Sequence, residues 1–156
     1  MENNKEERIQ RAGELFKSGY NCSQSVVAAF ADKYGFTQEQ AFRISASFGG
    51  GIGRMRETCG AACGMFLLAG LETGATEAAD REGKAANYAL VQELAAEFKK
   101  RNGSLNCGEL LGLKKETSIS SLPEERTQQY YAKRPCSKMV EEASRIWMEY
   151  LEKTSE

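Results

Sequence analysis

At 156 residues, with 41% hydrophobic and 28% charged residues, the chain has the size of one domain, 1–156, and can bury about two-thirds of its extended surface. A net charge of −1 leaves no electrostatic footprint for nucleic acid or for an anionic membrane. The opening MENNKEERIQ is too charged for a secretory signal. The longest apolar stretch, Ala61 to Leu71, is interrupted by Gly64 and Gly70 and is too short to span a bilayer, so a cytoplasmic setting without membrane insertion is expected.

Helical periodicity runs through the chain, and no alternating β-branched run competes with it. Ile9, Ala12, Leu15 and Phe16 mark a first helix. Val26, Val27, Phe30, Ala31 and Tyr34 mark a second. Thr37 and Gln40 form a capping-box pattern opening a third, with Ala41, Ile44, Ser45 and Phe48 inward. The fourth, from about Thr58 to Leu71, is nearly all small or apolar and is expected at the centre. A fifth follows Thr76 and runs to about Arg101, carrying Leu90, Val91, Leu94 and Phe98 on one face, with Gly103 as its stop. NCGELLG reads as a short helical turn and Lys114 to Leu122 as a polar surface loop. Pro123 can start a sixth helix. Pro135 can start the last, which carries a stripe of Met139, Val140, Ala143, Ile146, Trp147, Tyr150 and Leu151. The expectation is an all-α, multi-helix bundle of about six to seven helices.

The chemistry rests on what is missing as much as on what is present. Histidine is absent, which removes the commonest general base and metal ligand and any Cys-His pair. There are five cysteines, an odd number for a disulfide framework and a poor fit to one in a reducing compartment. Metal binding or redox chemistry is the better reading. Cys22 follows Asn21, Cys59 follows Thr58 and Cys107 follows Asn106, each a good N-cap, while Gln24 and Glu109 sit where they can complete two of those caps. Cys136 follows Pro135, although Arg134 is a poor cap. All four are thus expected in the opening turns of four helices, where unpaired N–H groups and the helix dipole favour a thiolate. Four converging helix starts would suit a cluster of negative charge.

The plainer alternative is that cysteine is a small hydrophobe filling the core. Cys63, mid-helix and one turn after Cys59, fits that description, or serves as a resolving thiol. Between Phe48 and Cys59, GGGIGRMRET contains neither a GxGxxG nor a P-loop pattern and follows no strand, which argues against nucleotide binding. Its glycines allow close backbone approach to a bound group. Arg54 and Arg56 add positive charge near Cys59, or form part of a solvated loop.

Asn21-Cys22-Ser23-Gln24, then Ser47-Phe48-Gly49-Gly50-Gly51, then Cys59-Gly60-Ala61-Ala62-Cys63-Gly64, then single cysteines at 107 and 136, together resemble the C-GCAxxG-C-C family, whose name asserts a redox role for its cysteines. The resemblance covers nearly the whole chain and rests on a CGAxxG motif plus three isolated cysteines in fixed order. It implies that the family's four cysteines are Cys22, Cys59, Cys107 and Cys136, and it gives no role to Cys63. Related domains occur attached to electron-carrying modules, which favours an iron–sulfur centre.

Three functions follow, in order. The first is a redox protein holding an iron–sulfur cluster for electron transfer on those four cysteines, with N–H groups of the helix starts and of Gly49, Gly50, Gly51 and Gly60 facing the cluster sulfurs. The second is metal-free thiol–disulfide chemistry by the same four residues, though no CxxC pair is present. The third is a structural zinc domain, disfavoured because paired CxxC knuckles are missing and a chain this long needs no metal to fold. A redox partner protein is expected but not identified, and general frequencies alone suggest a homodimer.

Overall fold

A computed structural model gives the fold and describes residues 2–114 and 118–155. Among them are eight α-helices and no strand: α1 (Glu2–Lys17), α2 (Cys22–Ala28), α3 (Gln38–Ser45), α4 (Gly60–Thr73), α5 (Arg81–Asn102), α6 (Cys107–Leu110), α7 (Gln128–Lys133) and α8 (Cys136–Thr154). An isolated antiparallel bridge joins Thr58 to Asn106. The all-α expectation holds, with the NCGELLG turn as α6 bringing the helices to eight.

α4 lies at the centre, packed against α2, α5 and α8, while α1 lies along α8 and α2. Its low side-chain bulk is what allows this. A Cβ at Gly64 would sit 3.0 Å from both the Ser23 carbonyl oxygen and Val26 Cβ, so a larger residue would push α2 away. The space between helices is filled by Trp147, Phe16, Phe30, Phe98, Met65, Leu68, Val26 and Val140, all essentially inaccessible to solvent. The apolar stripe of α8 supplies much of it; Tyr150 at its edge is half-buried. No helix among the described residues is long and apolar enough to cross a membrane.

Several boundaries differ from the periodicity. The second helix ends at Ala28 and a separate 3-10 turn spans Ala31–Tyr34. Side chains take the carbonyls that a continuing helix would use: Gln38 Nε2 donates to Ala28 O (3.0 Å) and Arg8 Nη1 to Ala29 O (2.9 Å). The capping box at Thr37 and Gln40 forms as expected, but Ile44 is 39% exposed. Only Ala41 and Ser45, one turn apart, face inward, and Phe48 falls in a 3-10 turn, Ala46–Phe48. α5 begins at Arg81 rather than just after Thr76, because Asp80 caps it by accepting from Gly83 N (2.8 Å). Gly103, at φ 91°, ends it as expected. Pro123 starts no helix; α7 begins after Thr127, whose Oγ1 accepts from Tyr130 N at 3.1 Å. Of the expected surface loop, residues 118–122 are exposed, and 115–117 lie outside the described residues.

Candidate functional site

The close approach of α2 and α4 brings their starts together, with Cys22 Cβ 3.3 Å from where a Gly60 Cβ would stand. α6 is tied to the same place by short backbone bonds: Cys59 N donates to Leu105 O (2.7 Å) and Cys107 N to Glu57 O (2.6 Å). α8 adds its first residue, Cys136. The result is one cavity of about 400 Å³ whose wall includes Cys22, Cys59, Cys107 and Cys136. Cys63 is not on that wall; its Sγ donates to Thr58 O at 3.7 Å, just ahead of α4. All five are free thiols.

The caps explain most of this placement. Asn21 closes a full capping box with Gln24 ahead of Cys22. Asn106 Oδ1 accepts from Glu109 N (2.9 Å), but the Glu109 carboxylate does not return to the cap; it accepts from Ser104 Oγ, which in turn accepts from Asn106 N. Cys59 departs from expectation by one position. It is itself the N-cap of α4, and Thr58 is held in the bridge to Asn106. Cys107 and Cys136 open α6 and α8 as expected.

The glycine loop carries unusual backbone. Gly50, Gly51, Ile52, Gly53 and Arg54 all have positive φ, between 56° and 75°, and Arg56 follows at 61°. Such left-handed conformations cost a non-glycine residue about 1–2 kcal/mol each, most for a β-branched side chain such as Ile52. Gly49, Gly50 and Gly60 line the cavity. Gly51 instead stands behind Cys107: a Cβ there would come within 2.5 Å of Cys107 Cβ. The third expected glycine therefore positions a thiol rather than facing the cavity.

The cavity is electropositive. Among the described residues, Arg54, Arg56, Arg126 and Arg134 line it against one carboxylate, Glu124. Arg126 and Arg134 gave no usable signal in the sequence, since a lone arginine in a polar stretch looks like solvated surface. Arg126 donates to Phe16 O (2.9 Å) and Tyr20 O (3.0 Å), with its guanidinium 4.4 Å from the Phe16 ring centre. Arg134 pairs with Glu124, and Arg54 Nη1 donates to the carbonyls of Ser120 and Leu122. Together these contacts hold residues 120–126 across the cavity.

The thiols are not equivalent. Burial pushes Cys59 up to about 12, although the Ala62 and Ala61 N–H groups at the helix start pull the other way. Burial likewise pushes Cys63 up to about 11 and raises Cys107, against the Arg56 guanidinium beside Cys107. Cys22 and Cys136 act on each other's acidity. The Cys22 thiol favours the Cys136 thiolate, which Arg134 and Arg126 favour further, holding that thiol down at about 7. The same interaction, with burial, drives Cys22 well above the ordinary thiol range.

Among the described residues no three His, Cys, Asp or Glu side chains converge on a point where one metal ion could sit. The four cavity thiols are spread around its wall rather than drawn to one such point.

No curated protein and no solved structure matches the chain. A family model does, over residues 20–150, a span that holds all four cavity cysteines; its description reads "Putative redox-active protein (C_GCAxxG_C_C)". The chain belongs to this C-GCAxxG-C-C family.

Proposed function

We propose that this protein is a small electron-transfer protein that holds an iron–sulfur centre on Cys22, Cys59, Cys107 and Cys136. One observation carries the reading: those four cysteines, spread over more than a hundred residues of sequence, line a single cavity that excludes Cys63. Held by those four thiolates, such a centre would supply one-electron chemistry. The chain's own residues do the rest. The helix starts offer N–H groups to sulfur, Gly49, Gly50 and Gly60 let backbone come close, and the arginines offset the negative charge of four thiolates. Residues 120–126 limit the access of water. Five free thiols and this chemistry suit a reducing, cytoplasmic setting.

The test is purification without oxygen, followed by visible absorption and assays of iron, zinc and sulfide. Brown protein containing iron and sulfide is expected, and Cys107→Ser should bleach it while helicity is kept, since α6 lies outside the main core. Protein that holds neither iron nor sulfide after attempted reconstitution would end this reading.

A second reading has its own support in Cys22 and Cys136, which share the cavity wall and whose acidities are pulled in opposite directions. In metal-free protein the Cys136 sulfur would attack a disulfide substrate and release one thiolate. Cys22, having lost its proton, would then attack the mixed disulfide and release the second, leaving a Cys22–Cys136 disulfide two electrons short of the dithiol. Peptide mapping after mild oxidation should find that bond; a different pairing would remove this alternative.

A further inference from the structure

The cavity loop places side chains where glycine would sit with less strain. Gly50, Gly51 and Gly53 adopt positive φ without steric penalty, yet Ile52, Arg54 and Arg56 adopt it too, at 66°, 61° and 61°. Strain at a site is explained when the side chain does something there. Ile52 is not on the cavity wall, whereas both arginines are. Arg54 has a structural duty, holding the carbonyls of Ser120 and Leu122. Arg56 has none of that kind. Among the described residues its one side-chain hydrogen bond runs from Nη1 to Cys107 Sγ at 3.7 Å, and no carboxylate pairs with it. The surrounding backbone locks the two residues in register, with Gly108 N donating to Arg56 O (3.3 Å) and Cys107 N to Glu57 O (2.6 Å).

We propose that Arg56 is a dedicated N–H donor to the Cys107 sulfur and sets the redox equilibrium of the cavity, its strained backbone being the means of aiming it. The inference rests on the iron–sulfur reading of the four-cysteine cavity, in which Cys107 is a ligand; the Cys22–Cys136 disulfide of the metal-free reading does not involve that sulfur. Arg56 gives up no electron and no proton. It stabilises the state that carries more negative charge at that sulfur, the reduced one, and so raises the potential. Of the four arginines it is the one aimed at a sulfur without being committed to a carbonyl or carboxylate.

Three variants separate this role from a structural one: Arg56→Gly, Arg56→Lys and, as control, Ile52→Gly. Arg56→Gly relieves backbone strain and should melt no lower than wild type, while its reduced-to-oxidised ratio at a fixed potential falls at least tenfold. That is about 59 mV for a one-electron couple, toward more reducing values. Arg56→Lys keeps the charge and should fall between the two. Ile52→Gly should raise the melting temperature and leave the potential where it was. A potential that ignores Arg56→Gly, or moves as far in Ile52→Gly, overturns the inference alone. So does an Arg56→Gly protein that loses stability, because the side chain would then be a structural prop. Wild-type protein that holds neither iron nor sulfide after reconstitution would instead bring down the iron–sulfur reading, and this inference with it.

Discussion

The two ends of this molecule are built on opposite terms. Around Trp147 the helices are regular, their facing side chains apolar and fully enclosed, and local preference agrees with the fold. Around the cysteines the chain turns left-handed at three non-glycine residues, four arginines crowd one cavity, and residues 120–126 cross it held by side chains rather than by a helix. The contrast assigns the roles. The packed end provides the stability against which the cysteine end holds strain, uncovered charge and thiols whose acidities are pulled apart.

The largest effect should come from the packed end. Trp147 is fully buried between α4, α8 and their neighbours, and Trp147→Ala should remove about 3–5 kcal/mol of stability. That is a large share of a typical total of about 5–15 kcal/mol. Urea unfolding followed by circular dichroism measures it. A loss below about 1 kcal/mol would mean that the core is not where the stability lies.

One substitution made at both ends sharpens the comparison. Gly51→Ala puts a methyl 2.5 Å from Cys107 Cβ at a φ of 75°, and should destabilise by about 1–3 kcal/mol while displacing that thiol. Gly70→Ala, on α4 with nothing within 4 Å of the new Cβ, should stabilise by about 0.5–1 kcal/mol. Opposite signs in thermal melts, with cysteine alkylation altered only in Gly51→Ala, are the expected pattern. Equal signs would dissolve the distinction between the two regions.

The same contrast explains what could be read from sequence. The stripe of α8, the small residues of α4 and the caps at Asn21, Thr37 and Asn106 announce themselves because each obeys a local rule that the packing then satisfies. Four cysteines in similar settings hinted at one site, and the structure does place them around one cavity. What stayed hidden depends on distant partners. The early end of α2 is set by Gln38 and Arg8, the Glu109 carboxylate is diverted to Ser104, and Arg126 reaches the cavity from a stretch with no pattern of its own. Left-handed φ at Ile52, Arg54 and Arg56 contradicts local preference, so no propensity argument could have found it.

A cap at the boundary should have an intermediate effect. Asn21 Oδ1 accepts from Gln24 N at 2.9 Å and its Nδ2 donates to Ala46 O at 3.0 Å, joining α2 to the turn ahead of the glycine loop. Asn21→Ala should cost about 1 kcal/mol in thermal or urea unfolding. Because the cap also positions Cys22, the variant should alter thiol reactivity more than Asp80→Ala, which removes the cap of α5 away from the cavity. If both caps affect the thiols equally, the N-cap at Asn21 is not part of the site.

The smallest effect lies off the cavity wall, at the pair of Arg8 and Asp32. Arg8 donates to both carboxylate oxygens, at 2.8 and 3.1 Å, and this hydrogen bonding holds the Asp32 carboxyl below its usual range against a weaker opposing effect of burial. A depressed folded-state value means that the unfolded chain binds the proton more readily. The pair's contribution is therefore complete above the unfolded Asp value of about 3.9, and is lost as pH falls through the lower folded value. The Asp32 side chain is 74% exposed, so screening limits the contribution to about 0.2–1 kcal/mol. Asp32→Asn should be slightly less stable than wild type at pH 7, and the gap should close in the acid range below pH 4, where wild type carries a protonated Asp32 too. Urea midpoints at several pH values measure this, with salt expected to narrow the gap at neutral pH. The variant should leave metal content, midpoint potential and cysteine alkylation untouched, because neither Arg8 nor Asp32 lines the cavity. A change in any of those would show that the two ends are coupled through α1 and α2, and the division of labour between them would have to be abandoned.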